Sequence, residues 1–222
     1  MDQVLEVNGL SAALGRNTIL SDVTFRLKTG EIVGLFGRNG SGKSTLLKCV
    51  FGVVKVSSID IKIDGQIIEQ KQVIPSQKIG YLPQDSFLPK SYKVRDVIPL
   101  IVPDAEKQDA VFYASQVPSF DMKKVGELSL GQLRYLELLL IGSLDHTFLM
   151  LDEPFSMLEP FYKDLVKEYL NQLKINKGII ITDHYYHDVL ELTDRNYLLK
   201  DGNLVSIKDQ KDLSAHGYLK TK

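Results

Sequence analysis

GRNGSGKS, Gly37 to Ser44, is the stretch of this chain with the plainest chemistry. It fits the pattern G-x-x-x-x-G-K-[ST]. It lies between an apolar run, EIVGLFG (31–37), and a segment with helical spacing, KSTLLKCVFG. That setting, strand then loop then helix, gives the pattern its meaning. Glycines let successive backbone N–H groups turn inward and form an anion nest. The helix N-terminus adds partial positive charge. Lys43 has the reach for β- and γ-phosphates, and the Ser44 hydroxyl can ligate Mg²⁺. The expected phosphate-binding set is Gly37, Arg38, Asn39, Gly40, Ser41, Gly42, Lys43, Ser44 and Thr45.

Three further stretches carry polar groups at the ends of apolar runs. FLMLDEP puts Asp152 and Glu153 where a buried strand stops. Ligand sites of open parallel sheets lie at such ends. Neighbours on a strand point to opposite sides, so the two acids can divide labour: Asp152 supporting a metal ion, Glu153 facing an attacking water. GIIITDH ends in His184, which can donate a hydrogen bond to a phosphate. KIGYLPQ (78–84) ends in Gln84. Taken singly, a strand-end histidine or a loop glutamine is more often structural. GELSLGQ (126–132) precedes the apolar run LRYLELLLIGSL, so Ser129 reads as a helix N-cap worth about 0.5–2 kcal/mol. Anion binding uses the same orphan N–H groups, so a cap and a grip on a ligand are compatible.

These residues need a scaffold. VLEVNGL and VTFRL alternate and read as strands of a small antiparallel sheet. SIDIKIDGQII and NYLLKDGNLVSI each hold Asp-Gly between alternating apolar residues, a hairpin signal. EIVGLFG, TFLMLDEP and GIIITDH are continuous apolar runs, the mark of strands buried on both faces. YKDLVKEYLNQLK is an amphipathic helix. Residues about 86–127 are proline-rich with amphipathic pieces such as AEKQDAVFYASQ, and read as a mainly helical insert. Buried strands alternating with helices give an α/β core around a parallel sheet. The tail after Ser206, with KDQKDL and KTK, reads as a solvated end. Cys49 reads as a small buried residue, Asp194-Arg195 as structural, and Tyr185, Tyr186 and His187 as surface or packing residues.

Composition bounds the partners. The chain has 222 residues with 44% hydrophobic and 25% charged residues, ordinary for one globular domain. A net charge of −1 argues against a broad nucleic-acid surface but allows a local anion site. One cysteine excludes an internal disulfide and a cysteine-cluster metal site. No apolar run approaches the roughly 18 residues of a membrane span. MDQVLEVNGL has no basic region followed by an apolar one, so no signal peptide is expected.

The order of these pieces resembles a family. GRNGSGKST, Gln84, LSLGQ, LMLDEP, SMLE and a strand-end His184 occur in the sequence order of the nucleotide-binding subunit of an ABC (ATP-binding cassette) transporter. The resemblance covers essentially the whole chain. It implies a P-loop NTPase core of ABC type with an antiparallel β-lobe and a helical lobe at about 86–146, as one cassette over 1–222. It implies ATP and Mg²⁺ as ligands, and a head-to-tail dimer in which Ser129, Gly131 and Gln132 of one copy meet the ATP held by the other. It implies roles as well: Glu153 the general base, His184 the switch histidine, Gln84 near the metal, and Ser44 with Asp152 (through water) at Mg²⁺. The partner it implies is a separate integral-membrane subunit, with the cassette peripheral on the cytoplasmic face. A soluble ATPase driving cytosolic assembly, such as iron–sulfur cluster assembly, and a low-turnover regulatory module are the alternatives.

Three letters depart from that pattern. Leu130 replaces the first glycine of LSGGQ, and is tolerable if its side chain points away from nucleotide. Leu14 stands where an aromatic ring would stack on adenine. Glu159 replaces the aspartate of SALD.

Overall fold

The computed structural model describes residues 2–15 and 17–219. The last three residues of the expected solvated tail, KTK, lie outside them. Two sheets organise the chain. The first is antiparallel, in the order β2-β1-β4-β5, from β1 (Val4–Leu14), β2 (Asn17–Lys28), β4 (Ser58–Ile63) and β5 (Gln66–Ile67). The Asp64-Gly65 turn joining β4 to β5 has both residues at positive φ, as the sequence signal requires. The second has six strands in the order β10-β9-β3-β8-β7-β6. It contains β3 (Ile32–Phe36), β6 (Ile79–Leu82), β7 (Phe148–Asp152), β8 (Gly178–Thr182), β9 (Arg195–Lys200) and β10 (Asn203–Ile207). Its neighbours are parallel except the β9–β10 hairpin.

The apolar runs are continuous because this sheet is covered on both faces. Along β7, Leu149 and Leu151 face one core while Phe148 and Met150 face the other. Ile179 and Ile181 of β8 face the first core, and Ile180 the second. The first core meets α5 (Leu130–Ser143), α6 (Pro160–Lys174) and α7 (Tyr186–Leu192). The second meets α1 (Lys43–Phe51) and the antiparallel sheet. Each such buried Leu, Ile or Phe contributes about 1.5–3 kcal/mol. Between β5 and β6 lie a 3₁₀ turn (Gln70–Gln72) and the short α2 (Val73–Ser76). Between β6 and α5 the chain forms α3 (Val94–Ile101), α4 (Ala105–Phe112) and two 3₁₀ turns. Cys49 is fully buried, and Asp194 accepts the Ile32 N–H at 2.8 Å, tying β3 to β9.

The expected solvated end is corrected here. Residues after β10 form α8 (Gln210–Ala215), with Leu213 fully buried. Asp209 caps that helix through the Lys211 and Asp212 N–H groups. Tyr218 then packs its ring, tilted by 59° and 5.9 Å away, against Phe36 at the end of β3. Three apolar residues among many polar ones, Leu213, Tyr218 and Leu219, anchor the segment, too few for a periodic signal.

Parallel register brings the C-terminal ends of β6, β7, β8 and β3 to one edge. Gln84, Asp152–Glu153, His184 and the loop after β3 follow those four ends, so residues distant in sequence converge.

Candidate functional site

Lys43 is the first residue of α1 and is almost fully buried. Its ammonium turns back across the loop, donating to Gly37 O at 2.8 Å and Arg38 O at 3.4 Å. Burial lowers its pKa, opposed by the charges of Glu153, Asp152 and Asp183. Gly42 caps α1 with φ +103° and no side-chain bond, and a Cβ there would come within 2.7 Å of Ile19 Cγ2. Glycine is therefore required on both counts. The first-turn N–H groups of α1 are left without a side-chain cap, which suits an anion. Ser41 Oγ belongs to the loop just before that helix. Among the described residues it and Glu137 Oε1 are the buried side-chain polar atoms without a partner. A buried hydroxyl left unpaired is costly, and a phosphate oxygen would satisfy it.

Asp152 is the last residue of β7 and is buried. It accepts from Ser44 Oγ at 3.0 Å, Thr182 Oγ1 at 2.7 Å and Tyr81 OH at 3.2 Å. Burial, and then the Asp152 charge, hold the Tyr81 hydroxyl far above its ordinary pKa, so it remains a donor. Ser44 and Asp152 offer oxygen only, the donor set of a hard cation such as Mg²⁺. Among the described residues no cluster of three His, Cys, Asp or Glu could hold a metal. A cation here would complete its shell with water and phosphate oxygens, as Mg²⁺ does.

Glu153 lies just beyond β7 and has φ +54°, in the left-handed region. The expected division of the two acids by strand alternation is therefore corrected: a left-handed turn, not the pleat, sends Glu153 away from Asp152. Such a conformation costs a non-glycine residue about 1–3 kcal/mol and persists where its surroundings fix it. Here the Glu153 N–H donates to Thr182 O at 2.8 Å. The carboxylate gathers three partners: His184 Nε2 at 2.7 Å, Gln84 Nε2 at 3.0 Å and Ser156 Oγ at 2.9 Å. β8 stops at Thr182, so His184 sits in the loop beyond, over buried Asp183. Asp183 accepts the Phe155 and Tyr185 N–H groups at 2.8 and 3.0 Å. Burial, with the Glu153 charge adding to it, raises the Asp183 pKa. One cavity of about 330 Å³ is lined by Asn39 to Thr45, Ile19, Gln84, Glu153 and His184. A second, of about 610 Å³, adjoins it through Ile19, Asn39, Gly40 and Ser41, and is walled by Arg38 and the β9–β10 turn.

The signature residues stand apart from both cavities. Ser129 caps α5 in a reciprocal box: its hydroxyl accepts Gln132 N–H at 3.2 Å, and Gln132 Oε1 accepts Ser129 N–H at 3.0 Å. Gly131 is buried, and a Cβ on it would lie 2.7 Å from Tyr162 Cδ2. Leu130 is 60% exposed and borders a groove shared with Gln84, Glu153 and Met157. Leu14 ends β1, is 75% exposed and lines neither cavity, whereas Ile19 lines both. Glu159 is exposed and precedes α6 without a side-chain cap. Sequence reasoning missed Ser156, Tyr81, Thr182, Asp183 and Ile19. Thr182 and Asp183 carried a signal, since they directly precede His184.

The family profile described as "ABC transporter" matches residues 20–156. Similar proteins include "ABC transporter ATP-binding protein YtrB" of Bacillus subtilis, 30% identical over 98% of this chain and 75% of that protein. A "Probable ABC transporter ATP-binding protein" of Azorhizobium caulinodans is 28% identical over 93% of this chain and 78% of its own length. "Lipopolysaccharide export system ATP-binding protein LptB" of Acidithiobacillus ferridurans is 27% identical over 93% and 90%. Among solved structures, one described as an ATP binding subunit of an ABC transporter superposes with a TM-score of 0.84 at 23% identity, covering 96% of this chain and 93% of that one. That likeness speaks for the fold.

Proposed function

This chain belongs to the ABC transporter family as an ATP-binding subunit, and from that premise we propose that it is a Mg²⁺-dependent ATPase whose paired copies drive a membrane partner. The observation that carries the catalytic reading is the Glu153 carboxylate, joined to His184, Gln84 and Ser156 at the mouth of the phosphate cavity. Residues 1–222 act as one cassette, with the segment at about 86–146 as its helical lobe.

ATP is the substrate. Its phosphates lie along Gly37 to Thr45, with Lys43 neutralising the outer ones and Ser41 Oγ gaining the partner it lacks. Ser44, Asp152 through water and Gln84 would hold Mg²⁺, which when bound would supply charge neutralisation at the phosphates. Glu153 takes a proton from the attacking water, as a general base. His184 and Gln84 hold that carboxylate; in this reading His184 contacts the γ-phosphate and Gln84 would stand near the metal. Ser129 and Gly131 of a second copy close over the nucleotide, with Gln132 locking the cap that presents them. Ile19, which lines both cavities, is the apolar side chain nearest the base, with Leu14 beyond their lining. Cleavage and phosphate loss open the pair.

No helix among the described residues is long and apolar enough to cross a membrane. From the family membership we assign the membrane step to a separate integral subunit, with this chain peripheral on its cytoplasmic side. The test has two arms. Purified protein should hydrolyse ATP with Mg²⁺ and stop when EDTA removes it. Affinity-tagged protein should carry a multi-span protein out of detergent-solubilised membranes. Activity unaffected by EDTA, or recovery only from the soluble fraction, would overturn the corresponding half.

A further inference from the structure

The side chain of Arg134 lies one turn into α5 and is 7% exposed; Glu137, on the same helix face, is 1% exposed. The guanidinium of Arg134 points at the sheet edge. Nη1 donates to Pro83 O at 2.6 Å, immediately before Gln84. Nη2 donates to Asp152 O and, at 3.3 Å, to Glu153 O. Glu137 Oε2 pairs with Nη1 at 3.3 Å, while Glu137 Oε1 has no partner among the described residues. A planar fork with five donors can satisfy acceptors on two strand ends at once, which an ammonium cannot.

The consequences follow from which carbonyls are chosen. They flank Gln84 and Glu153, the two residues whose side chains meet at 3.0 Å. They also include the carbonyl of Glu153 itself, whose backbone is in the left-handed region. The same helix begins at the Ser129 cap. One side chain therefore joins the signature helix to the backbone of the base and of the glutamine. Burying a charged pair is a poor route to stability, since hydrophobic replacement is often neutral or better.

We propose that Arg134, oriented by Glu137, is a positioning residue. It registers Glu153 and Gln84 to α5, so that seating of the signature on a second copy sets the attack geometry. The proposal rests on the reading of Glu153 as base, and its test keeps the two apart.

The measurements are steady-state ATP hydrolysis, ATP affinity by direct titration, and thermal melting, on the full chain. Glu153→Gln tests the base alone: if it turns over normally, the base reading fails. Arg134→Met should lower kcat at least tenfold with ATP affinity within twofold of wild type. Glu137→Leu in the same chain removes the charge left buried. The double variant Arg134→Met/Glu137→Leu should recover the wild-type melting temperature and keep the low kcat. Recovery of kcat together with stability would show a purely structural pair and overturn the proposal. If either methionine variant fails to fold, Arg134→Lys decides. It keeps the charge and cannot span both strand ends, so kcat should fall at least fivefold with melting and ATP affinity unchanged. Wild-type kcat in Arg134→Lys overturns the proposal.

Discussion

His184 Nε2 lies 2.7 Å from Glu153 Oε1, although the two residues follow different strands. Their meeting is a consequence of β7 and β8 being parallel neighbours, with Asp152 opposite Thr182 in the register. One residue beyond Asp152 and two beyond Thr182, carboxylate and imidazole come together beside the phosphate cavity.

Glu153→Gln keeps the shape and hydrogen-bonding reach and removes the base. Turnover should fall roughly 10²- to 10⁴-fold. ATP binding should survive, because Gly37 to Thr45 are untouched, and the ATP-bound dimer should accumulate. Size-exclusion chromatography with ATP, beside a phosphate-release assay, checks both.

Ser129 serves a cap within the chain and, in the proposed dimer, a phosphate beyond it. Ser129→Ala should cost about 1 kcal/mol of helix capping, which for a domain of this size is about 2–4 °C in melting temperature. Ser129→Asp keeps the cap and sets a negative charge against phosphate. It should melt near wild type and lose ATP-dependent dimerisation. Normal dimerisation of Ser129→Asp would confine Ser129 to capping. Leu130→Gly should alter turnover less than tenfold, since that side chain is 60% exposed.

Leu14→Tyr should tighten ATP binding. Base–aromatic stacking is worth about 1–3 kcal/mol in nucleic-acid binders, and the low end is apt because Leu14 lies outside the lining of both cavities. About 1 kcal/mol is roughly fivefold in affinity. Hydrolysis should barely change. Titration with labelled ATP reads the difference. Unchanged affinity would leave Ile19, which lines both cavities, as the apolar contact to the base.

Lys177 gives a pH dependence away from the site. Its ammonium donates to Leu144 O at 2.7 Å and His146 O at 2.6 Å, at the end of α5. Burial lowers its pKa to about 8. An unfolded chain holds that proton up to about 10.4. Between those values the unfolded state binds more protons, so stability rises with pH; below about 8 the penalty is fully present. Wild type should therefore gain on Lys177→Met in urea melts between pH 7.5 and pH 9.5. A constant difference across that window would refute it.

The sequence alone determined the strand–loop–helix around Lys43, the three buried strands, both Asp-Gly hairpins and the cap at Ser129. Each rests on local physics: a run of apolar residues, a turn needing positive φ, or a hydroxyl reaching N–H groups three residues on. The same locality made Lys43, Asp152, Glu153 and His184 legible as strand-end groups. What only the tertiary structure decided is which of them touch. The register of β7 on β8 sets His184 against Glu153, and the left-handed turn at Glu153 sends it off the strand's alternation. Arg134 shows the limit best: in the sequence it is one cation on an apolar helix. Its acceptors are backbone carbonyls of Pro83, Asp152 and Glu153. Every residue carries a carbonyl, so no side-chain pattern can announce that pairing. The docked tail escaped for a related reason, because Leu213 and Tyr218 gain their value from a surface that the rest of the fold supplies.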